Sequence, residues 1–90
     1  MSELAEAERT ERELREQIAD LVRARARAES EARRLGERAG LEGADPTLGD
    51  IAERYRSQSE RLSGEVDAVR ASLREHEADL ERLRAQSRGA

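Results

Sequence analysis

The chemically most versatile residues of this 90-residue chain stand together near its carboxyl end, as Glu75, His76 and Glu77. His76 is the only histidine, and an imidazole between carboxylates can transfer protons or ligate a metal ion. In a helix, however, successive side chains point in different directions, so these three do not converge on one atom. One imidazole with one carboxylate is also too small a ligand set for a metal. A structural role is therefore the main interpretation of His76, and a metal ligand or pH switch is the alternative.

No other set of residues in the sequence is typical of catalysis. The chain has no cysteine, no glycine-rich phosphate loop, no pair of histidines at helical spacing and no nucleophile beside a base. We expect no catalytic residue, no cofactor and no bound metal, and we expect that the protein is not an enzyme.

The positive charges indicate the kinds of partner that the chain could bind. All 17 basic residues are arginines, whose forked donors suit carboxylates and phosphates. Arg23, Arg25 and Arg27 are spread around a helix, and the net charge of −4 argues against nucleic acid or an anionic membrane as partner. Arg25 lies on an apolar stripe, so its guanidinium either reaches water across Leu62 or contacts a carboxylate or phosphate of a partner.

The sequence gives only indirect information about the compartment. Without cysteine the redox environment cannot be read. No apolar run approaches the roughly 20 residues of a membrane span, and the first residues lack the basic-then-apolar pattern of a secretory signal. We expect a cytoplasmic protein that does not enter membranes, with secretion without a signal peptide as the alternative.

Apolar residues recur at heptad spacing in two stretches, which predicts two amphipathic helices. The first stripe reads Leu4, Ala7, Glu11, Leu14, Ile18, Leu21, Arg25, Ala28, Ala32, Leu35 and Ala39. The second stripe reads Leu48, Ala52, Tyr55, Ser59, Leu62, Val66, Val69, Leu73, His76, Leu80 and Leu83. If residue i faces residue 87 − i, every member of one stripe meets a member of the other. This mirror relation predicts an all-α antiparallel coiled-coil hairpin that folds back between Gly43 and Ala44.

The capping and turn residues of the chain predict one domain, 1–90, with a helix over 3–39, a turn over 40–46 and a helix over 47–87. Ser2 is the expected N-cap of the first helix, and Gly40 is expected to end it in a left-handed Schellman conformation. Two arrangements are open for the start of the second helix. Either Asp45 caps it with Pro46 in the first turn, or Thr47 and Asp50 form a capping box.

The mirror relation also predicts which side chains meet. It places Glu11 opposite His76, as a polar layer that sets the register. The residues expected on the internal seam are Leu14, Ile18, Leu21, Tyr55, Leu62, Val66, Val69 and Leu73. The residues expected to contact a partner are Val22, Arg25, Leu41, Ile51 and Tyr55.

A hairpin of this composition is expected to need a partner. Charged residues make up 42% of the chain and Tyr55 is its one aromatic residue, so a thick core cannot form. The conformational entropy lost on ordering the chain is large and is only partly offset by helix hydrogen bonds, so burial of the seam leaves a two-helix hairpin marginal on its own. We therefore expect the hairpin to bind itself or another helical protein, as a homodimer or heterodimer, most simply as a four-helix bundle.

Chain length, the two long helices and the turn resemble the WXG100 (ESAT-6-like) family of type VII secretion. Leu41-Glu42-Gly43 occupies the place of that family's Trp-x-Gly, with leucine instead of tryptophan. The spacing of the apolar residues in the second helix is similar to that of the family. Its export signal, a tyrosine followed four residues later by an acid, has no counterpart, because Ser59 follows Tyr55 at that distance. The resemblance implies a small secreted partner or chaperone-like dimer without catalysis.

A second resemblance is to the cyclic-di-GMP-binding anti-sigma hairpins. Their signature Glu-x3-Ser-x2-Arg-x3-Gln-x3-Asp begins here with Glu53 and Ser57, but Glu60 stands where the arginine is needed. The nucleotide-binding part is thus absent, and what the resemblance implies is binding of a sigma factor or another protein by the bare hairpin. From the residues we expect a non-catalytic protein–protein interaction module, acting as an adaptor, a regulator or a structural protein.

Overall fold

The computed structural model describes residues 2–89 and consists of two long antiparallel helices, α1 (Glu3–Ala39) and α2 (Thr47–Gly89). The α2 helix runs two residues beyond its predicted end. The hairpin measures 72 × 16 × 15 Å, and its radius of gyration of 20.2 Å far exceeds the roughly 12 Å of a compact domain of this length. The predicted all-α helical hairpin is confirmed, and it is only two helices thick.

The α1 helix begins as the sequence predicts. The hydroxyl of Ser2 accepts a hydrogen bond from the Ala5 N–H at 3.3 Å, which satisfies one of the free donors of the first turn. Glu3 and Glu6 place negative charge in that turn, where the helix dipole favours it.

The end of α1 differs from the expected Schellman motif. Gly40 has φ −80° and ψ −6°, which is right-handed, and its N–H still donates to the Gly36 carbonyl at 3.2 Å. The left-handed residue is Gly43, with φ 79°, inside a turn closed by the Ala44 N–H and the Leu41 carbonyl at 3.2 Å. The expectation for Gly40 is wrong because the chain reverses three residues later, in a β-turn whose third residue needs a positive φ.

Of the two cap arrangements open for α2, the structure has the one that uses Asp45. Its carboxylate accepts hydrogen bonds from the Thr47 N–H at 2.9 Å and from the Thr47 hydroxyl at 2.8 Å. Both bonds stabilise the charged form of Asp45 and so hold its pKa below the ordinary value, and the bond from the Thr47 backbone has the larger effect.

The contact between the helices follows the two heptad stripes. None of their 22 members is exposed, and Val66 and Leu80 have no solvent-accessible surface. The buried members are Ala28, Ala32, Leu35, Ala52, Ser59, Val66, Leu73 and Leu80. The remaining members are half-buried, which leaves part of their apolar surface in water.

Candidate interaction surface

The α2 helix divides its heptad stripe into two columns of different burial. The buried column contains Ala52, Ser59, Val66, Leu73 and Leu80, each at most 9% exposed. The second column, which we call the apolar column, contains Leu48, Tyr55, Leu62, Val69, His76 and Leu83, each half-buried. Since both columns repeat every seven residues, α1 covers one along its whole length and leaves the other partly open.

The side of the hairpin away from the apolar column is held by charged groups, and we call it the ion-paired side. Arg15 binds Glu77 across the helices at 3.2 Å, and the Arg56 guanidinium lies over Gly36, where an added Cβ would be 3.1 Å away. Glu77 and Arg56 each follow a member of the buried column by four residues, whereas members of the apolar column follow it by three. On a helix these two steps diverge to opposite sides of the buried column.

The opposite side, which we call the apolar side, is defined by Leu14 and Leu21 of α1 and the apolar column of α2. All of these residues are half-buried. Tyr55 stands at its edge near Arg34, whose hydrogen bond and charge hold the pKa of Glu31 below its ordinary value. The apolar side is a stripe of partly covered aliphatic groups between charged margins.

The predicted polar layer of Glu11 and His76 is divided between the two sides. His76 Nε2 donates a hydrogen bond to the Ala7 carbonyl at 2.6 Å, on the apolar side. Glu11 instead lies 3.6 Å from Arg15, which also reaches Glu77. His76 bonds to the other helix near the open end of the hairpin, and Glu11 lies close by on α1. The structure does not bring the two residues together as a pair.

Replacing His76 by leucine is expected to raise the melting temperature by a few degrees and to loosen the register or the choice of partner. Leucine adds apolar contact on the seam, worth about 1 kcal/mol. It also removes the imidazole donor, the polar group that distinguishes this heptad level from the others. Thermal melting followed by circular dichroism, with the oligomer distribution by sedimentation, measures both effects. His76→Gln, which keeps a side-chain donor, is the control. Unchanged melting and an unchanged oligomer distribution in His76→Leu would remove the proposed register role.

Arg25 lies within reach of an acid of its own helix. Its side chain is half-buried, and its Nε lies 3.9 Å from the Glu29 carboxylate, which also accepts a hydrogen bond from the Ser59 hydroxyl at 3.3 Å. These contacts place Arg25 at the edge of the helix contact, beside an exposed carboxylate.

The other residues expected to contact a partner do not form one cluster. Val22 follows Arg15 by seven residues and is half-buried on the ion-paired side, whereas Ile51 is half-buried beside the apolar column. The two are also about 20 Å apart along the hairpin. Tyr55 belongs to the apolar column, and Leu41, 67% exposed, lies in the turn beside Leu48. The turn end therefore gathers Leu41, Ile51 and Tyr55, and leaves Val22 apart.

Leu62 and Val69, which the sequence places on the internal seam, line the helix contact but are half-buried and belong to the apolar side. No charge pattern in the sequence separates the two columns, because charged residues stand on both sides of the apolar column. Arg54, Arg61 and Glu75 precede its members, and Arg56, Arg70 and Glu77 follow them.

Within residues 2–89 no three acidic or histidine side chains are grouped so that they could hold a metal ion. Over the same range neither helix combines the length and apolarity needed to cross a membrane. Comparison of the chain with protein-family models, curated proteins and solved structures gives no match in any of the three.

Proposed function

We propose that this chain is a non-catalytic protein–protein interaction module, an adaptor, regulator or structural protein whose binding surface is the apolar side. The single observation that carries the proposal is the apolar column of α2. It is half-buried at six successive heptad levels, while each member of the buried column beside it is at most 9% exposed. Apolar area left in water forgoes about 25 cal/mol per Å², so a partner that covers this column gains free energy along most of the hairpin.

The thinness of the fold supports the same proposal. With a cross-section of 16 × 15 Å, each helix has one helical neighbour, whereas a helix in a four-helix bundle has two. A partner on the apolar side supplies the second neighbour.

Two matched variants test the proposal. Leu62→Gln/Val69→Gln makes the apolar side polar, and Ser63→Gln/Arg70→Gln changes the adjacent positions on the opposite side. The tagged chain is produced at native level in its host, and the proteins that it retains, including its own untagged copies, are compared. We expect association to be lost in the first variant and kept in the second, with helix content by circular dichroism similar in both.

The result that contradicts the proposal is equally definite. It is a wild-type chain that retains nothing and sediments at its monomer mass of 10.1 kDa, or two variants that retain the same proteins as the wild type.

A second candidate, a WXG100-like partner in type VII secretion, is favoured by the turn. Leu41 stands in the place of that family's tryptophan and is 67% exposed, beside a glycine with positive φ. Appearance of the tagged chain in the culture medium, lost in Leu41→Ser and kept in Glu42→Ser, would support this candidate. Equal amounts of both variants in the medium would contradict it.

A further inference from the structure

We propose that the apolar side binds a second copy of this chain, face to face and head to tail, so that the turn of each copy lies at the open end of the other. The inference rests on the proposed function and names its partner. It is carried by the symmetry of the apolar column and by the order of charges along both helices.

The apolar column is symmetric about its middle. Two α2 helices that run in opposite directions bring its six members into register around residues 65 and 66. The levels of such a pair are Leu48 with Leu83, Tyr55 with His76, and Leu62 with Val69. Each level joins a residue of one copy to a residue of the other, so the contact is isologous, as a two-fold dimer requires.

The outer margin of the apolar side in α1 consists of the exposed residues that precede Ala7, Leu14, Leu21, Ala28 and Leu35. In chain order these are Glu6, Glu13, Asp20, Arg27 and Arg34. The charge changes from acidic to basic at the midpoint, and the whole helix shares this order. Residues 3–20 hold seven acids and three arginines, and residues 23–38 hold six arginines and three acids. A head-to-tail copy therefore sets Glu6 opposite Arg34 and Glu13 opposite Arg27 of the second copy.

The same margin in α2 has the opposite order. Arg54 and Arg61 precede its midpoint and Glu75 follows it, so a head-to-tail copy sets Arg54 opposite Glu75 of the second copy. Within residues 2–89 Arg54, Arg61 and Glu75 make no ion pair in their own chain, and Arg82 is paired with Asp79. These three side chains on the margin of α2 are thus available for ion pairs with a second copy.

The alternative stacking, with both turns at the same end, places α2 over α1 of the second copy at equal height. Three like-charge pairs then meet, each twice in the dimer: Arg54 with Arg34, Arg61 with Arg27, and Glu75 with Glu13. One opposite-charge pair, Arg82 with Glu6, also meets twice. The head-to-tail arrangement brings together six opposite-charge pairs and two like-charge pairs, Asp20 with Asp20 and Glu65 with Glu65 at the two-fold axis. Because like charges across an interface cost free energy, this balance favours the head-to-tail arrangement.

The apolar side is also large enough for a stable dimer. The apolar column spans 35 residues, about 50 Å of helix. With the 16 Å width of the hairpin this gives on the order of 800 Å² per copy, the usual size of a specific protein–protein interface.

Single cysteines test the arrangement directly, since the chain has none of its own. Gln58 and Ser72 are exposed residues of α2 that face each other between head-to-tail copies. We expect a mixture of Gln58→Cys and Ser72→Cys chains to form the mixed disulfide on mild oxidation. The control mixture, Gln17→Cys with Ser72→Cys, joins positions that meet when both turns lie at the same end. We expect at least tenfold less mixed disulfide there.

Charge reversal tests the margins without altering the contact between α1 and α2. Arg54→Glu/Arg61→Glu is expected to weaken dimerisation about tenfold, by sedimentation equilibrium, because the new carboxylate at position 54 then faces Glu75 of the second copy and the one at position 61 adds negative charge to the same margin. The control Arg70→Glu/Arg74→Glu makes the same charge change on exposed residues away from the apolar side and is expected to dimerise like the wild type.

The possible results separate this inference from the proposed function. A wild-type chain that stays at its monomer mass of 10.1 kDa at high micromolar concentration overturns the inference that a second copy binds. If that chain nevertheless retains another protein, and Leu62→Gln/Val69→Gln alone fails to retain it, the proposed function is upheld. Disulfides in the control mixture overturn the head-to-tail order. A dimer that persists in Leu62→Gln/Val69→Gln contradicts both proposals, because the apolar side is then not the surface that binds.

Discussion

Replacing Val66 by aspartate is expected to unfold the hairpin or to lower its melting temperature by about 20 °C or more. Val66 has no solvent-accessible surface, and it lies at the middle of the buried column. An unpaired carboxylate at such a position costs several kcal/mol, a large part of the total stability of a 90-residue chain. Circular dichroism at 222 nm during thermal melting measures the effect directly.

Ala78→Asp is the control for Val66→Asp, since it adds the same charge at an exposed position of α2. Its helix-propensity cost, up to about 0.7 kcal/mol, is larger than that of Val66→Asp, so propensity cannot account for a greater loss in Val66→Asp. We expect Ala78→Asp to melt within a few degrees of the wild type. If both variants lose similar stability, Val66 is not enclosed between the helices and the described packing is wrong.

Replacing Leu80 by alanine is expected to cost about 2–5 kcal/mol, or roughly 10–25 °C in melting temperature. Leu80 is the other fully enclosed large side chain, and it closes the open end of the hairpin, where the helix termini are otherwise free to separate. Besides the melt, hydrogen exchange should show faster exchange of the amides that flank Ala7 and Leu80, with slow exchange retained around Val66.

Leu41→Ala removes the same atoms from a leucine that is 67% exposed, and we expect a change within about 0.5 kcal/mol. Equal losses in Leu41→Ala and Leu80→Ala would contradict the burial pattern. A Leu80→Ala variant with uniform exchange along the helices would instead contradict the idea that the open end separates first.

The helices and their seam could be predicted closely, because both depend on patterns local to the chain. A seven-residue repeat identifies the buried face of a helix without knowledge of its neighbour, and Ser2 and Asp45 cap with their own side chains. The conformation predicted for Gly40 was wrong because it is not set by local residues. Several glycines stand close together in the turn, and the one that adopts positive φ depends on where the two helices meet.

The sequence did not show which of the expected partner contacts share one side of the hairpin. Tyr55 and Ile51 lie on or beside the apolar side, whereas Val22 lies on the ion-paired side. Glu11 and His76 were expected to meet, but each has another partner, Arg15 and the Ala7 carbonyl. Which of two neighbouring columns is covered depends on how far each helix rotates about its axis, and the repeat alone leaves that rotation open.

By itself the sequence determined the hairpin, its point of reversal and the 22 positions that line the helix contact, because heptad spacing and turn residues act over short distances. Only the tertiary structure decided that α1 covers Val66 and Leu80 completely and leaves the column from Leu48 to Leu83 half open. The physical reason is helix rotation: a turn of a few tens of degrees exchanges one heptad column for the other against the partner helix, and the packing of enclosed side chains such as Val66 and Leu80 sets that angle.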